Sequence, residues 1–359
     1  AGGWALAPHA NATVVVIGQS NDNPASCVCA WSQSTPTSEF KGVNIRSNYV
    51  AAGGRTAVAF STAANAFFTL TAAEIMASHD GGASWKVVWT RPQPYSTDRL
   101  GGIAFAPSGT HGVVWLFSKP VGFVTHDAGV TWVASSMSTT ADNSISQVAW
   151  LNDTYAVAAV GNLGMSTPPT VAESSDSGDS WVTTVATMPI GASSAAATDV
   201  ACAADRCVVG IKFQTWIPSN TSFQNHYGLL SMPSSSQVVG SQYHNLSRFM
   251  SFCGSSGFGI PLDAATGGSR SADGGRSWIE MDMPVGGRPP LTYMQLNSAA
   301  LACGEESRPY VLSLSAVWTK ASTAERGGWV KALDLSGLGY NGCNCPFQGP
   351  NPWAVAVSS

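Results

Sequence analysis

Residues 78–85 read SHDGGASW, a short polar turn that ends in the largest apolar side chain available. The arrangement returns as THDAGVTW at 125–132, SSDSGDSW at 174–181 and SADGGRSW at 271–278. The acids are Asp80, Asp127, Asp176 and Asp273, spaced by 47, 49 and 97 residues. The last interval is close to twice the others, so one copy has decayed between 181 and 271. Each residue type has a local task. Glycine at the fifth position tolerates φ > 0 in a tight hairpin. The carboxylate accepts backbone N–H groups within the turn, and the hydroxyls close the same network. The tryptophans, Trp85, Trp132, Trp181 and Trp278, open the next strand and are expected to turn inward between neighbouring units.

A fixed period of 40–50 residues with four short strands per unit predicts propeller blades. The strand runs agree: TAVAFST, AFFTLTA, EIMASHD and WKVVW in one unit, GGIAFAP, GVVWLFS, VGFVTHD and WVASSMS in the next, and SQVAWLN, YAVAAVG, TVAESSD and WVTTVAT in a third. With strands lettered A to D outward from the axis, the repeated turn joins C to D. CAWSQSTPTSEF at 29–40, LLSMPSSSQVV at 229–239 and STAERGGW at 322–329 occupy the slots of worn copies.

The pattern S/T-x-D-x-G-x-S/T-W resembles the Asp-box, or BNR repeat, of the sialidase-like β-propeller superfamily, and all four copies match it throughout. The resemblance covers roughly residues 3–335 and implies an all-β, seven-bladed β-propeller with four-stranded antiparallel blades. The superfamily includes sialidases, endoglucanase-like glycosidases, sortilin-type receptors, photosystem assembly factors and propeller lectins. In such relatives the Asp-box is a structural turn away from the ligand site, so the resemblance implies a fold and leaves function open.

A single propeller is therefore expected over residues 1–359, with 336–359 as a C-terminal closing or donated strand segment. WALAP at 4–8 is expected to begin the first blade and WVKALDL at 329–335 to end the seventh, yet PWAVAVSS at 352–359 is a further strand of the same kind. Both termini thus offer a strand for one place. The spare strand either pairs in its own molecule or is added to an edge of another subunit.

Charged residues are 11% of the chain against about 25% in typical domains, a composition that suits strands and turns over long surface helices. The net charge of −4, without a Lys/Arg run, argues against a nucleic-acid partner, and no apolar run reaches the length of a membrane span. The start at Ala1, eight cysteines and four sequons are read as signs of a mature secreted glycoprotein. The sequon asparagines are Asn11, Asn152, Asn220 and Asn245. Asn11 and Asn152 fall in A–B turns on the face of the repeated turns, and the other two fall in loops on the opposite face.

The cysteines and six scattered histidines lack metal-site spacing, so disulfides are expected and no metal or cofactor is. Cys202 and Cys207 bracket a short hairpin. Cys253 and Cys303 occupy matching A-strand ends. Cys27 and Cys29 are expected to cross-link with Cys343 and Cys345 at the seam of the ring.

Propeller ligands usually sit on the face made by the D–A and B–C loops, which are the long ones here. The early arginine signature of the sialidases is absent. Asp98 and Asp199 form the alternative, a two-carboxylate glycosidase pair closely preceding A strands and facing one another across the axis, against a plain loop-capping role. Trp216 and Tyr227, in the longest loop, with Tyr95 and Tyr293 in neighbouring ones, are candidates for stacking on sugars, against simple packing. His79 and His126 occupy the variable second position of two turns and are read as solvent-facing. The sum favours a non-catalytic extracellular binding or structural module, binding a glycan or an extracellular protein, with self-assembly through terminal strands as one form of it.

Overall fold

The computed structural model describes residues 14–19, 27–33, 41–46, 58–71, 73–92, 98–116, 119–137, 144–161, 168–187, 191–217, 222–232, 239–240, 249–253, 256–260, 268–281, 300–303, 309–312, 316–320, 329–334 and 351–357. Among these residues there is no helix, and every element is a strand. The strands follow one another as antiparallel meanders of four. The first whole meander is β4 (Val58–Ser61), β5 (Ala66–Leu70), β6 (Glu74–Ser78) and β7 (Lys86–Thr90), after β1 (Val14–Gln19), β2 (Cys27–Gln33) and β3 (Lys41–Arg46). Next come β8 (Leu100–Phe105), β9 (Gly112–Leu116), β10 (Gly122–Thr125) and β11 (Val133–Met137). These are followed by β12 (Ser144–Trp150), β13 (Ala156–Gly161), β14 (Thr170–Ser174) and β15 (Ser180–Val185). The longest strands are β16 (Ala192–Cys202), β17 (Cys207–Ile217) and β18 (Ser222–Met232), with β19 (Val239–Gly240) at their edge. Two further meanders are β20 (Phe249–Cys253), β21 (Ser256–Ile260), β22 (Gly268–Ser271) and β23 (Ile279–Met281), then β24 (Ala300–Cys303), β25 (Pro309–Leu312), β26 (Ala316–Lys320) and β27 (Trp329–Asp334). The last strand, β28 (Asn351–Val357), pairs antiparallel with β1 from Val14↔Val357 to Gln19↔Asn351, giving the order β28-β1-β2-β3. The C-terminal strand thus completes the N-terminal meander of its own chain. WALAP at 4–8 lies outside the described residues.

The first strands of successive meanders adjoin one another: β4 with β8, β8 with β12, β12 with β16, β16 with β20, and β20 with β24. β28 lies beside both β24 and β4, so the succession closes on itself. The core lies between neighbouring meanders. Second strands such as AFFTL and GVVWL are buried along their whole length because both of their faces are covered. The period of two then sorts their side chains. Val114 and Leu116 pack back against Phe68 and Leu70, while Val113 and Trp115 pack forward against Val148 and Ala158. Fourth strands form the rim, and β7 is exposed at four of its five positions. At the rim, β11 and β15 touch in parallel through Ser136↔Ser180 and Met137↔Trp181, which joins two meanders into one eight-stranded sheet.

Candidate functional site

The four repeated turns share one geometry. In 78–85 the Ser78 hydroxyl donates to Asp80 Oδ1 at 2.8 Å and accepts Gly82 N–H at 2.7 Å. Ser84 donates its N–H to Asp80 Oδ1 at 2.8 Å and its hydroxyl to Oδ2 at 2.6 Å. Trp85 Nε1 donates to the Gly82 carbonyl at 3.1 Å. Thr125, Asp127, Gly129, Thr131 and Trp132 repeat the set with matching distances. So do Ser174, Asp176, Gly178, Ser180 and Trp181, and Ser271, Asp273, Gly275, Ser277 and Trp278. Burial pushes each carboxyl upward, but the hydroxyl and N–H donors that converge on it outweigh that penalty. Asp80, Asp127 and Asp176 are held below the usual carboxylate range, and Asp273 is lowered to about 2.

Two consecutive positions of each turn are left-handed. The fifth has φ of 90°, 92°, 91° and 84° at Gly82, Gly129, Gly178 and Gly275. The fourth also has positive φ, at Gly81, Ala128, Ser177 and Gly274. Sequence reasoning assigned the special conformation to the fifth position alone, because alanine and serine at the fourth gave no signal. Trp132, Trp181 and Trp278 are buried against the preceding meander, as expected, while Trp85 is half-buried. The side chains of β1–β3, which precede it, lie outside the described residues.

The opposite end of the sheets is built differently. Cys207 and Gly112 each pair with the last residue of a first strand, yet β17 runs six residues further than β9, about 20 Å. Residues 212–227, expected as a loop, are therefore mostly a two-stranded hairpin, β17–β18, paired out to Ile217↔Ser222. The alternation in IKFQTWI carries the strand on. Near that tip Trp216 pairs with Phe223, their rings edge-to-face with centroids 4.9 Å apart. Both are exposed, at 46% and 55%. Behind them Phe213 stacks on His226, whose Nε2 lies 2.7 Å from Thr215 Oγ1. Tyr227 pairs in register with Lys212. Tyr95 and Tyr293 lie outside the described residues.

The two candidate acids stand in different settings. Asp98 is buried just ahead of β8, with Oδ2 2.8 Å from Lys119 Nζ. Its charge also reaches Arg91, whose guanidinium burial drives below its ordinary value and Asp98 pulls back up. Asp199 does not precede its strand but stands inside β16, because the small-residue run 192–197 extends the strand backwards. Its Oδ1 folds onto Val200 N–H at 2.9 Å. Their strands β8 and β16 are separated by β12. A Tyr–Glu contact does exist, with Tyr155 Oη donating to Glu173 Oε2. Burial and that hydrogen bond raise the phenol well above its usual value, the wrong direction for a nucleophile.

Asn152 is exposed in the β12–β13 turn, on the face of the repeated turns. Its Oδ1 accepts Thr154 N–H at 2.9 Å, Thr154 Oγ1–H at 3.0 Å and Tyr155 N–H at 2.8 Å. Asn11, Asn220 and Asn245 lie outside the described residues. Cys202 and Cys207 form a disulfide across the β16–β17 turn. Cys253 and Cys303 end β20 and β24, the positions equivalent to Cys202. Cys27 and Cys29 lie in β2, and Cys343 and Cys345 outside the described residues.

No helix among the described residues is long and apolar enough to cross a membrane. No family model matches the chain, and no curated protein matches it in sequence. Solved structures match it in fold. An ancestral GH74 enzyme aligns with 89% of this chain at 14% identity and a TM-score of 0.58. The match covers 47% of that enzyme, so the chain spans about half its length. YCF48 bound to D1 peptide aligns with 84% of this chain and 91% of its own at 14% identity, with a TM-score of 0.52. These are β-propeller proteins, and the closed succession of four-stranded antiparallel meanders described above is likewise a β-propeller fold.

Proposed function

We propose that this chain is a seven-bladed Asp-box β-propeller that acts outside the cell as a non-catalytic binding module. The observation that carries the function is the β17–β18 hairpin, which carries an exposed Trp216–Phe223 pair beyond the level at which β9 ends. Flat aromatic faces with neighbouring amides and hydroxyls suit a glycan, and Gln224 and Ser222 stand beside the pair. The four identical turns support the Asp-box family, and the closed succession of inner strands supports seven blades. Secretion and glycosylation draw support from the exposed Asn152 turn and the Cys202–Cys207 disulfide. The partner is a glycan or a glycan-bearing extracellular protein. Pairing of β28 with β1 supports closure in cis over donation of that strand, so any self-assembly would use the rim, where Val133, Val182 and Ile279 are exposed.

Glycoside hydrolysis is the second reading, and it draws on Asp98 at the loop end of β8. One experiment separates the two: a glycan array run beside a panel of chromogenic glycosides. The binding reading expects retention of specific glycans, no turnover, and at least a tenfold loss of binding in Trp216→Ala. Turnover that disappears in Asp98→Asn would establish the hydrolase instead. A wild-type protein that retains no glycan would overturn the glycan assignment.

A further inference from the structure

We infer that His111 and His126 form a binding site for a square-planar or octahedral transition-metal ion, with Cu(II) the best fit. His111 ends the β8–β9 turn, and His126 is the second residue of the turn at 125–132, so one meander brings both to the same edge. Their Nδ1 atoms face each other at 2.9 Å, with rings edge-to-face and centroids 5.1 Å apart. On the far side of its ring, His126 Nε2 lies 2.8 Å from Oδ1 of Asp179, a residue of the next meander's turn.

The chemistry follows from what a neutral imidazole offers, one N–H and one lone pair. Asp179 takes the Nε2–H of His126, which leaves the Nδ1 lone pair of His126 aimed at His111. A carboxylate behind a histidine is the usual support of a metal-bound imidazole, fixing its tautomer and raising its basicity. Without metal, the Nδ1 proton of His111 fills the gap. A metal ion breaks that hydrogen bond: the His111 proton moves through solvent to its own Nε2, and each neutral ring then gives its Nδ1 lone pair to the ion. Two nitrogens 2.9 Å apart subtend about 90° at an ion about 2.05 Å from each. That is the cis angle of square-planar and octahedral coordination, whereas a tetrahedral ion would want the nitrogens about 3.3 Å apart. The angle therefore favours Cu(II) and Ni(II) over Zn(II), and intrinsic affinity places Cu(II) above both. Among the described residues no group of three His, Cys, Asp or Glu forms a metal cluster, so water or an added ligand completes the shell. The partly exposed His126 ring leaves room for it.

The test is titration of the full chain with CuCl2, NiCl2 and ZnCl2 at neutral pH, followed by calorimetry and by Cu(II) electron paramagnetic resonance. One equivalent of copper is expected, with hyperfine coupling from two imidazole nitrogens, and affinity falling from copper to nickel to zinc. His111→Ala and His126→Ala should each weaken copper binding at least tenfold, and Asp179→Asn by about tenfold. His111→Gln serves as a second variant if His111→Ala melts early. His79→Ala should change nothing, because the turn at 62–65 that corresponds to His111 carries no histidine. Absence of stoichiometric copper binding below about 1 mM, or binding indifferent to both His111 and His126, would overturn the site.

Discussion

A Cβ atom on Gly129 would lie 2.6 Å from Cε1 of Phe68, so the repeated turn of one meander presses its backbone directly onto the second strand of the meander before it. Gly275 meets Val208 of the second strand β17 in the same way, at 2.6 Å, while Gly178 meets Val124 of the third strand β10, at 2.9 Å. Glycine is thus required twice at the fifth position, by its positive φ and by this contact. Gly129→Ala should cost about 3 kcal/mol or more, from left-handed strain plus overpacking. Ala128→Gly, one residue earlier with φ of 58°, relieves the strain without meeting the contact and should be neutral or stabilising by up to about 1 kcal/mol. Chemical denaturation of the two variants checks the contrast.

The carboxyls of Asp80, Asp127, Asp176 and Asp273 are all lowered in the folded chain relative to an unfolded value near 3.9. A lowered carboxyl contributes stability that is present above its unfolded pKa and lost as pH falls through the folded one. The melting temperature should therefore hold down to about pH 4 and then fall steadily toward pH 2, where Asp273 finally protonates. Asp273→Asn should melt lower at pH 7 and show a shallower acid limb. An acid limb identical to that of the unsubstituted chain would show that the Asp273 turn does not contribute.

Tryptophan substitutions should rank by burial. Trp181→Ala removes a side chain that is 3% exposed and donates to both Gly178 O and Ser135 Oγ, and should cost about 3–5 kcal/mol. Trp85→Ala removes a half-buried ring and should cost roughly half as much. Equal losses at the two sites would contradict the packing described here.

Closure gives a further expectation. Removing residues 351–359 strips β28 from β1 and leaves an unpaired edge along Val14–Gln19. The truncated chain should melt at least about 5 °C lower and aggregate at concentrations where the full chain stays clear. Differential scanning calorimetry and light scattering read both effects.

Most of the meander plan was legible in the sequence, because four units repeat one local device at a fixed period and the remaining slots follow from that period. The run EIMASHD became β6 with its turn, and the worn copies at 29–40, 229–239 and 322–329 do fall across the junctions of third and fourth strands. Other features were not legible, for identifiable reasons. The hairpin 212–227 alternates as a strand should, but its length departs from the four-to-six-residue second strands of the other meanders, so its polar end was read as a loop. The level of Asp199 depends on how far β16 extends backwards, which an Ala/Ser run does not announce. His126 occupies a turn position that varies freely among the four copies. Its contacts with His111 and Asp179 come from different turns, and only the packing of adjacent meanders brings them together.

An experimental density map of the protein tests the central claim most directly. The account predicts seven four-stranded antiparallel meanders, with Asn351–Val357 as the innermost strand beside Val14–Gln19 of the same chain. Trp132, Trp181 and Trp278 should each be wedged against the preceding meander. A map that shows those tryptophans in unlike surroundings, or β1 completed by a strand from another molecule, would contradict it.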